Sequence, residues 1–187
     1  LARVKGMPGQ RVLTVLAWNT SGEEIVFNEA SNGQSSSALE LGTHIVHYPE
    51  ISYTRTHKLK SMRLDEVPSG WLPEKIDFLN IDVQGAELRV LQGMGKTLQC
   101  VDAIYSEYNT EHVYKECALL EELDAFLGAS GFVRVDEVES GHGWGDALWL
   151  NASLLPKNVR GRKLARKLHS LLGRWKGRLE ARGISVH

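Results

Sequence analysis

Acidic residues and a histidine lie in or after three separate apolar runs of this chain, where their side chains could do chemistry. Asp82 ends the run 76–81, Glu107 lies within the run 101–108, and His142 belongs to the glycine-rich loop 142–146. A carboxylate or a histidine within hydrogen-bond reach of a hydroxyl can take up its proton, and two carboxylates can hold a divalent cation. Asp82 and Glu107 on neighbouring strands fit either scheme. The candidate catalytic residues are therefore Asp82, Glu107 and His142.

Each candidate also has a structural interpretation. Asp82 precedes a helix-like segment, where an aspartate commonly accepts hydrogen bonds from free backbone N–H groups. A buried acid such as Glu107 commonly pairs with a backbone donor or an arginine. A single histidine in a loop is more often solvated than catalytic, and Glu87 in a first helical turn interacts favourably with the helix dipole. Residue spacing alone leaves these alternatives open.

The segment 76–93 gives the clearest signal for the elements that must position these residues. Residues 76–81 form a short, β-rich apolar run, which is typical of a strand buried on both faces. Gly85 follows the acidic residue Asp82, and Leu88 and Leu91 then share one helical face. In an open α/β sheet, ligands bind beyond the carboxyl ends of the strands. The pattern strand, acidic turn, helix therefore predicts a ligand site at Asp82.

The rest of the chain predicts further strands and one long helix. The strands are expected at 11–18, 24–27, 54–67, 101–108, 132–138 and 147–151. The first two resemble a hairpin around the turn 21–22, and the last two an antiparallel pair. An apolar stripe predicts a helix over 115–129, and residues around Pro49 are expected to be irregular. The polar loop 31–37 is either a flexible surface loop or a lid over a ligand.

Three ordered motifs link the candidate residues to a family. The first motif is Asp-Val-Gln-Gly-Ala-Glu at 82–87, followed by Val-Leu-Gln-Gly at 90–93. The second is Tyr-Ser-Glu at 105–107, followed by Tyr114 and the segments 123–127 and 131–132. The third is Gly-Trp-Gly-Asp-Ala-Leu at 143–148. Together they resemble the FkbM family of S-adenosylmethionine-dependent methyltransferases, over about residues 11–151. Gln84 replaces the glutamate that is usual in that family. Because Gln84→Glu would restore the usual residue, the resemblance predicts that this substitution is tolerated.

The resemblance implies an α/β fold with a Rossmann-like class I methyltransferase sheet. In that sheet, residues 11–18 would be the third strand and 76–81 the fourth. The implied function is an S-adenosylmethionine-dependent O-methyltransferase acting on a hydroxyl of a sugar, glycan or secondary metabolite. The alternative is a non-catalytic, truncated methyltransferase-like interaction domain. The implied roles are cofactor binding by Asp82 and Val83, and substrate binding by Gln84, Trp144 and Asp146, with no metal site.

The early part of such a sheet is not recognised in the chain. In that fold the first strand ends in a glycine-rich turn for the methionine part of the cofactor, and the second ends in an acid for the ribose hydroxyls. Neither occurs before residue 11 or after residue 151, and no Gly-x-Gly-x-x-Gly is present. We therefore expect a sheet truncated at its N-terminal strands, poor cofactor binding by residues 1–187, and an unpaired strand edge that favours homo-oligomers.

Composition limits the class of protein. The chain has 187 residues, 42% hydrophobic and 24% charged, which is typical of a globular domain with a core. Its two cysteines, Cys100 and Cys117, lack metal-binding spacing and read as free thiols in a reducing compartment. No signal peptide or membrane-spanning run is recognised, so a cytoplasmic location is expected.

Charge divides the chain into a methyltransferase-like domain, 1–151, and a basic tail, 152–187. Residues 151–187 hold ten of the 22 Lys/Arg but one of the 23 Asp/Glu, although the formal net charge is −1. Six apolar residues fall on one helical face of the tail: Leu164, Leu168, Leu171, Leu172, Trp175 and Leu179. The amphipathic helix could pack on the acidic body, contact an anionic membrane through 157–182, or bind nucleic acid. Because no nucleic-acid module appears, the first two interpretations are favoured.

Overall fold

Two β-sheets and three helices organise residues 10–155, which are the residues that a computed structural model of the chain describes. The strands are β1 (Leu16–Ala17), β2 (Glu24–Ala30), β3 (Tyr53–Met62), β4 (Leu79–Ile81), β5 (Ala103–Asn109), β6 (Phe132–Glu139) and β7 (Trp144–Asn151). The α-helices are α1 (His44–His47), α2 (Glu87–Gly93) and α3 (Leu120–Ala129). Short 3₁₀ turns cover Leu64–Glu66, Gly95–Cys100 and Ala152–Leu154. The fold class is therefore mixed α/β, as predicted.

The larger sheet has the strand order β4-β5-β7-β6. β4 runs parallel to β5, and Ile81 lies opposite Ser106. Helix α2 and the turn Gly95–Cys100 make the connection between these parallel strands. β7 is antiparallel to both β5 and β6, which confirms the predicted final pair. The carboxyl ends of β4 and β5 therefore meet at one edge of the sheet.

The main core lies between this sheet and helices α2 and α3. β5 lies between β4 and β7, and five of its seven residues are buried. Leu91, Leu123 and Leu127 are at most 1% exposed and share one apolar cluster with Ile104 and Trp149. Truncating one buried leucine of this kind to alanine typically costs about 2–5 kcal/mol. This core holds the strand ends in place.

The smaller sheet corrects two predictions. Its order is β1-β3-β2, with β1 parallel and β2 antiparallel to β3. The hairpin predicted between 11–18 and 24–27 is therefore wrong, because β3 lies between the two strands and pairs with both. β1 and β4 also lie in different sheets, so 11–18 and 76–81 are not successive strands of one sheet. Opposite charges, such as Lys58 with Glu24, join β3 to β2 across the ladder.

Several element boundaries differ from those expected. Leu64–Glu66 is a 3₁₀ turn after β3 and not the end of a strand. Helix α3 begins at Leu120 and not at residue 115, since Glu116 has a φ of 60° and the Glu122 carboxylate accepts the Leu119 N–H at 2.9 Å. The segment expected to be irregular near Pro49 contains the short helix α1. Both cysteines are free thiols, as predicted.

The tail predicted over 157–182 lies outside the described residues, so its helical form and its membrane contact stay predictions. Within residues 10–155, no helix is both long enough and apolar enough to cross a bilayer.

Candidate active site

The turn that connects β4 to α2 has an unusual backbone. Gln84 has a φ of 56° and Gly85 a φ of 95°, both in the left-handed region. A side chain at position 85 would approach the Tyr114 Cβ to 2.9 Å, so the turn needs glycine there. Glu87 secures the turn, because its Oε1 accepts the N–H groups of Val83 at 3.2 Å and Gly85 at 3.0 Å. The strained backbone is thus held by the Tyr114 side chain and by the Glu87 carboxylate.

Every polar group of the Gln84 side chain is hydrogen-bonded within the site. Its Nε2 donates to Asp82 Oδ1 at 2.6 Å and lies 3.4 Å from Glu107 Oε2. Its Oε1 accepts the Tyr114 hydroxyl at 2.6 Å. The backbone carbonyl of Gln84 accepts the Ser37 hydroxyl, also at 2.6 Å. One amide therefore links the carboxylates of Asp82 and Glu107 and fixes their relative position.

Four carboxyl groups come together around this amide. Glu107 on β5 is the cross-strand neighbour of Asp146 on β7, and Glu87 is 1% exposed beneath them. Burial, reinforced by Glu87, Asp82 and Asp146, raises the pKa of Glu107 to about 9. Burial likewise raises the pKa of Glu87 to about 7 and, together with Asp82, raises that of Asp146. Glu107 therefore holds a proton at neutral pH, while Asp82 is the solvent-exposed member of the group.

These residues border a cavity of about 830 Å³. Asp82, Gln84, Glu107 and Asp146 line it at the strand ends. Trp18 and Phe27 contribute apolar surface, and the loop 32–36 with helix α1 contributes a second polar wall. A ligand in the cavity would thus meet an acidic wall, an apolar wall and a hydroxyl-rich wall.

The structure brings together all but one of the residues that the sequence singled out. Asp82, Val83, Gln84, Glu107, Trp144 and Asp146 all line the cavity. His142 is exposed and is not among the lining residues; its ring lies 5.4 Å from that of His47 and 5.8 Å from that of Tyr48. A direct catalytic role for His142 has no support in this geometry, and the roles of the other six stay predictions.

Sequence reasoning missed the second polar wall. Ser35 and His44 line the cavity, and His44 was not singled out at all. The sequence signal for this wall is the loop 31–37, whose polar composition predicts either a flexible surface loop or a lid over a ligand. Tyr114 appeared within a motif but had no role, although its hydroxyl joins the two polar walls.

Within the part of the chain that the structure describes, no group of three or more His, Cys, Asp or Glu side chains is arranged to hold a metal ion.

Comparison with known proteins decides the family. The family model described as "Methyltransferase FkbM domain" matches residues 9–134. The chain belongs to the FkbM methyltransferase family. The matched part of this FkbM domain contains both the β4–α2 turn and β5, whereas the motif at 143–148 lies beyond it.

The chain is also similar to a named methyltransferase. The chain is 31% identical over 124 residues to the 2-O-methyltransferase NoeI of Sinorhizobium fredii. The match covers 64% of this chain and 48% of NoeI, so this FkbM chain spans about half the length of that relative. No solved structure matches the chain significantly.

Proposed function

We propose that this FkbM domain belongs to an S-adenosylmethionine-dependent O-methyltransferase that acts on a hydroxyl of a sugar, glycan or secondary metabolite. Family membership and the similarity to a protein named as a 2-O-methyltransferase support methyl transfer to oxygen. The single observation that carries the proposal is the Asp82–Gln84–Glu107 group, which stands at the carboxyl ends of two parallel strands beside a cavity.

The proposal includes a Rossmann-like arrangement of the larger sheet. β4, α2 and β5 form a parallel strand pair with a helical crossover, which is the repeating unit of doubly wound folds. The position of the cavity at the carboxyl ends of β4 and β5 agrees with where ligands bind in such sheets.

The residues present fit the charged part of the cofactor. S-adenosylmethionine supplies a methyl group bonded to a positively charged sulfur. Among the described residues, the cavity lining contains the acids Asp82 and Asp146 beside the protonated Glu107, and no lysine or arginine, so it favours a cation. Asp82 and Val83 at the β4 end are the residues proposed to contact the cofactor.

The side chains have distinct roles in the proposed reaction. Asp82, the exposed carboxylate, accepts the proton of the acceptor hydroxyl, a step that typically contributes about 10²–10⁴-fold to a rate. Gln84 orients Asp82 through its 2.6 Å hydrogen bond. Glu107, protonated at neutral pH, accepts the Gln84 amide N–H at 3.4 Å and adds no negative charge of its own. Trp144 and the loop 32–36 line the cavity, where they replace water around a bound acceptor.

The test is methyl transfer by the protein in its natural full length. The protein is incubated with methyl-labelled S-adenosylmethionine and a panel of sugars, glycans and hydroxylated metabolites, and the products are analysed by mass spectrometry. We expect one methyl group on an oxygen of the product and inhibition by S-adenosylhomocysteine. If no hydroxyl compound is methylated and S-adenosylhomocysteine does not bind, the alternative of a non-catalytic interaction domain is the better account.

A further inference from the structure

One buried polar atom beside the cavity has no partner in the protein. His44 is 4% exposed, and its Nδ1 is fully buried without a hydrogen-bond partner among the described residues. The other ring nitrogen, Nε2, lies 3.1 Å from the Ser35 hydroxyl, so the ring is held in place from one side. Buried polar groups are almost always paired in folded proteins, and an exception calls for a ligand or a functional reason.

The surroundings of His44 are those of a binding surface. The centre of its ring lies 5.1 Å from that of Tyr48 and 5.5 Å from that of Tyr114. His44, Ser35 and Tyr48 all line the same cavity as Asp82. Tyr114 joins the two regions, because its hydroxyl lies 2.6 Å from Gln84 Oε1 and 3.5 Å from the Ser35 carbonyl oxygen. A ligand that touches both Asp82 and His44 therefore needs several polar groups spread over its surface.

Charge limits what this ligand can be. Besides the protonated Glu107, the acids Asp82 and Asp146 line the cavity and, among the described residues, no lysine or arginine does, which disfavours a phosphate or a carboxylate. Burial lowers the pKa of His44, so its imidazole is neutral at neutral pH. A neutral imidazole offers one donor and one acceptor nitrogen, which suits a hydroxyl group.

We propose that His44, Ser35 and Tyr48 form the subsite for an uncharged, polyhydroxylated ring of the sugar class, which presents its acceptor hydroxyl to Asp82. This inference rests on the proposed methyltransferase function and adds the residues that select the acceptor. Because Nδ1 is fully buried in the free protein, the His44 ring must turn toward the cavity before Nδ1 can bond a ring hydroxyl. The Tyr48 ring covers the less polar face of the sugar. Anionic sugars are excluded by the carboxyl groups at the strand ends.

Binding is tested first without any reaction. The full chain, labelled with ¹⁵N and ¹³C in histidine, is titrated with a panel of neutral methyl glycosides and with matched uronic acids and sugar phosphates. The His44 signals are assigned by their loss in His44→Gln, and those of His57, exposed on β3, serve as the internal control. We expect neutral glycosides to shift the His44 signals in a saturable way, while the anionic counterparts bind roughly tenfold more weakly or not at all. If no neutral glycoside shifts His44, or if anionic sugars shift it equally, the subsite is wrong.

Kinetics of the full-length protein then separate this subsite from the chemistry. His44→Gln and Ser35→Ala should each raise KM for the acceptor roughly fivefold, as expected for one lost hydrogen bond, with a smaller change in kcat. His57→Gln should change neither, and thermal unfolding confirms that each variant is folded. Intact methyl transfer with an unchanged acceptor KM in both variants overturns the subsite and leaves the proposed function standing. Saturable binding at His44 without any methyl transfer overturns the proposed function and keeps the subsite.

Discussion

At the scale of the residue, Asp82 should matter more for turnover than Gln84, although the two side chains are hydrogen-bonded to each other. Asp82→Asn keeps the size of the side chain but cannot take up a proton, so we expect turnover to fall by about 100-fold or more. Gln84→Glu keeps the length of the side chain and restores the usual family residue, so it should retain far more activity. Steady-state kinetics at pH 7–9 with matched thermal unfolding curves measure both.

Gln84→Glu should nevertheless change the pH profile. The new carboxylate would face Asp82 and Glu107, and like charges raise the pKa of carboxyl groups. The acid limb of the pH–rate profile should therefore move to higher pH. An Asp82→Asn variant with wild-type turnover would show that Asp82 has only a structural role.

Glu107 should make the stability of the domain depend on pH. Its pKa is about 9 in the folded protein against 4.5 as the reference value, so between these two values the folded state holds a proton that the unfolded state has lost. The free energy of unfolding therefore falls as pH rises through this window, by at most roughly 1.4 kcal/mol per pH unit. Glu107→Gln removes this titration, so its stability relative to the wild type should increase from pH 5 to pH 9.

Urea denaturation at pH 5, 7 and 9 checks this expectation. Glu121→Gln is the matched control, since Glu121 is exposed on helix α3. A difference in stability between Glu107→Gln and the wild type that stays constant over this range would argue against a buried, protonated Glu107.

At the scale of the element, the β4–α2 turn depends on Gly85. Gly85→Ala places a Cβ 2.9 Å from the Tyr114 Cβ at a φ of 95°, so we expect a loss of about 2–3 kcal/mol in the free energy of unfolding. Gly128→Ala in helix α3 is the control, because a Cβ there meets nothing within 4 Å. It should stabilise the domain by about 0.5–1 kcal/mol, since alanine favours a helix. Equal effects in the two variants would contradict this view of the turn.

Asp124 connects helix α3 to both strands of the final pair. Its Oδ1 accepts the indole N–H of Trp149 on β7 at 2.9 Å, and Arg134 on β6 donates to the same carboxylate at 2.9–3.1 Å. Asp124→Ala leaves the indole N–H of Trp149, whose side chain is 1% exposed, without a partner, so we expect a loss of about 2–3 kcal/mol.

Asp124→Asn separates the two contributions. Its amide oxygen still accepts the indole N–H, while the ion pair with Arg134 is lost. Because both charged side chains are about one-third exposed, that pair should contribute no more than about 1 kcal/mol. Chemical denaturation should therefore rank the wild type first, then Asp124→Asn, then Asp124→Ala. If Asp124→Asn is as unstable as Asp124→Ala, the loss of stability comes from the ion pair with Arg134 and not from the hydrogen bond to Trp149.

At the scale of the whole molecule, the apolar residues and the many Lys and Arg of the tail sequence suggest a peripheral membrane contact. We propose that residues 157–182 lie on an anionic surface, where each Lys or Arg contributes roughly 1 kcal/mol. Sedimentation with anionic liposomes at low salt should carry down residues 1–187 but not residues 1–155. High salt should release the longer chain, because salt screens the attraction. Equal partitioning of the two chains would favour a tail packed on its own acidic body.

The sequence by itself determined the local features of this protein. The apolar run before Asp82, the glycine three residues later and the leucines of α2 depend on neighbours a few residues away, so they could be read as strand, turn and helix. The antiparallel pairing of β6 with β7 followed in the same way, since only a short loop separates them. Because these motifs are contiguous, they also identified the FkbM family and most of the acidic wall of the cavity.

Only the tertiary structure decided what depends on distant contacts. β3 lies between β1 and β2, although β1 and β2 are closer in sequence, because pairing across the ladder outweighs proximity along the chain. His44 reaches the cavity because α1 packs beside the loop containing Ser35, whereas His142 remains outside it although the glycine-rich loop made it a candidate. The raised pKa of Glu107 has the same origin, since burial and three other carboxyl groups arise only when β4, α2, β5 and β7 come together.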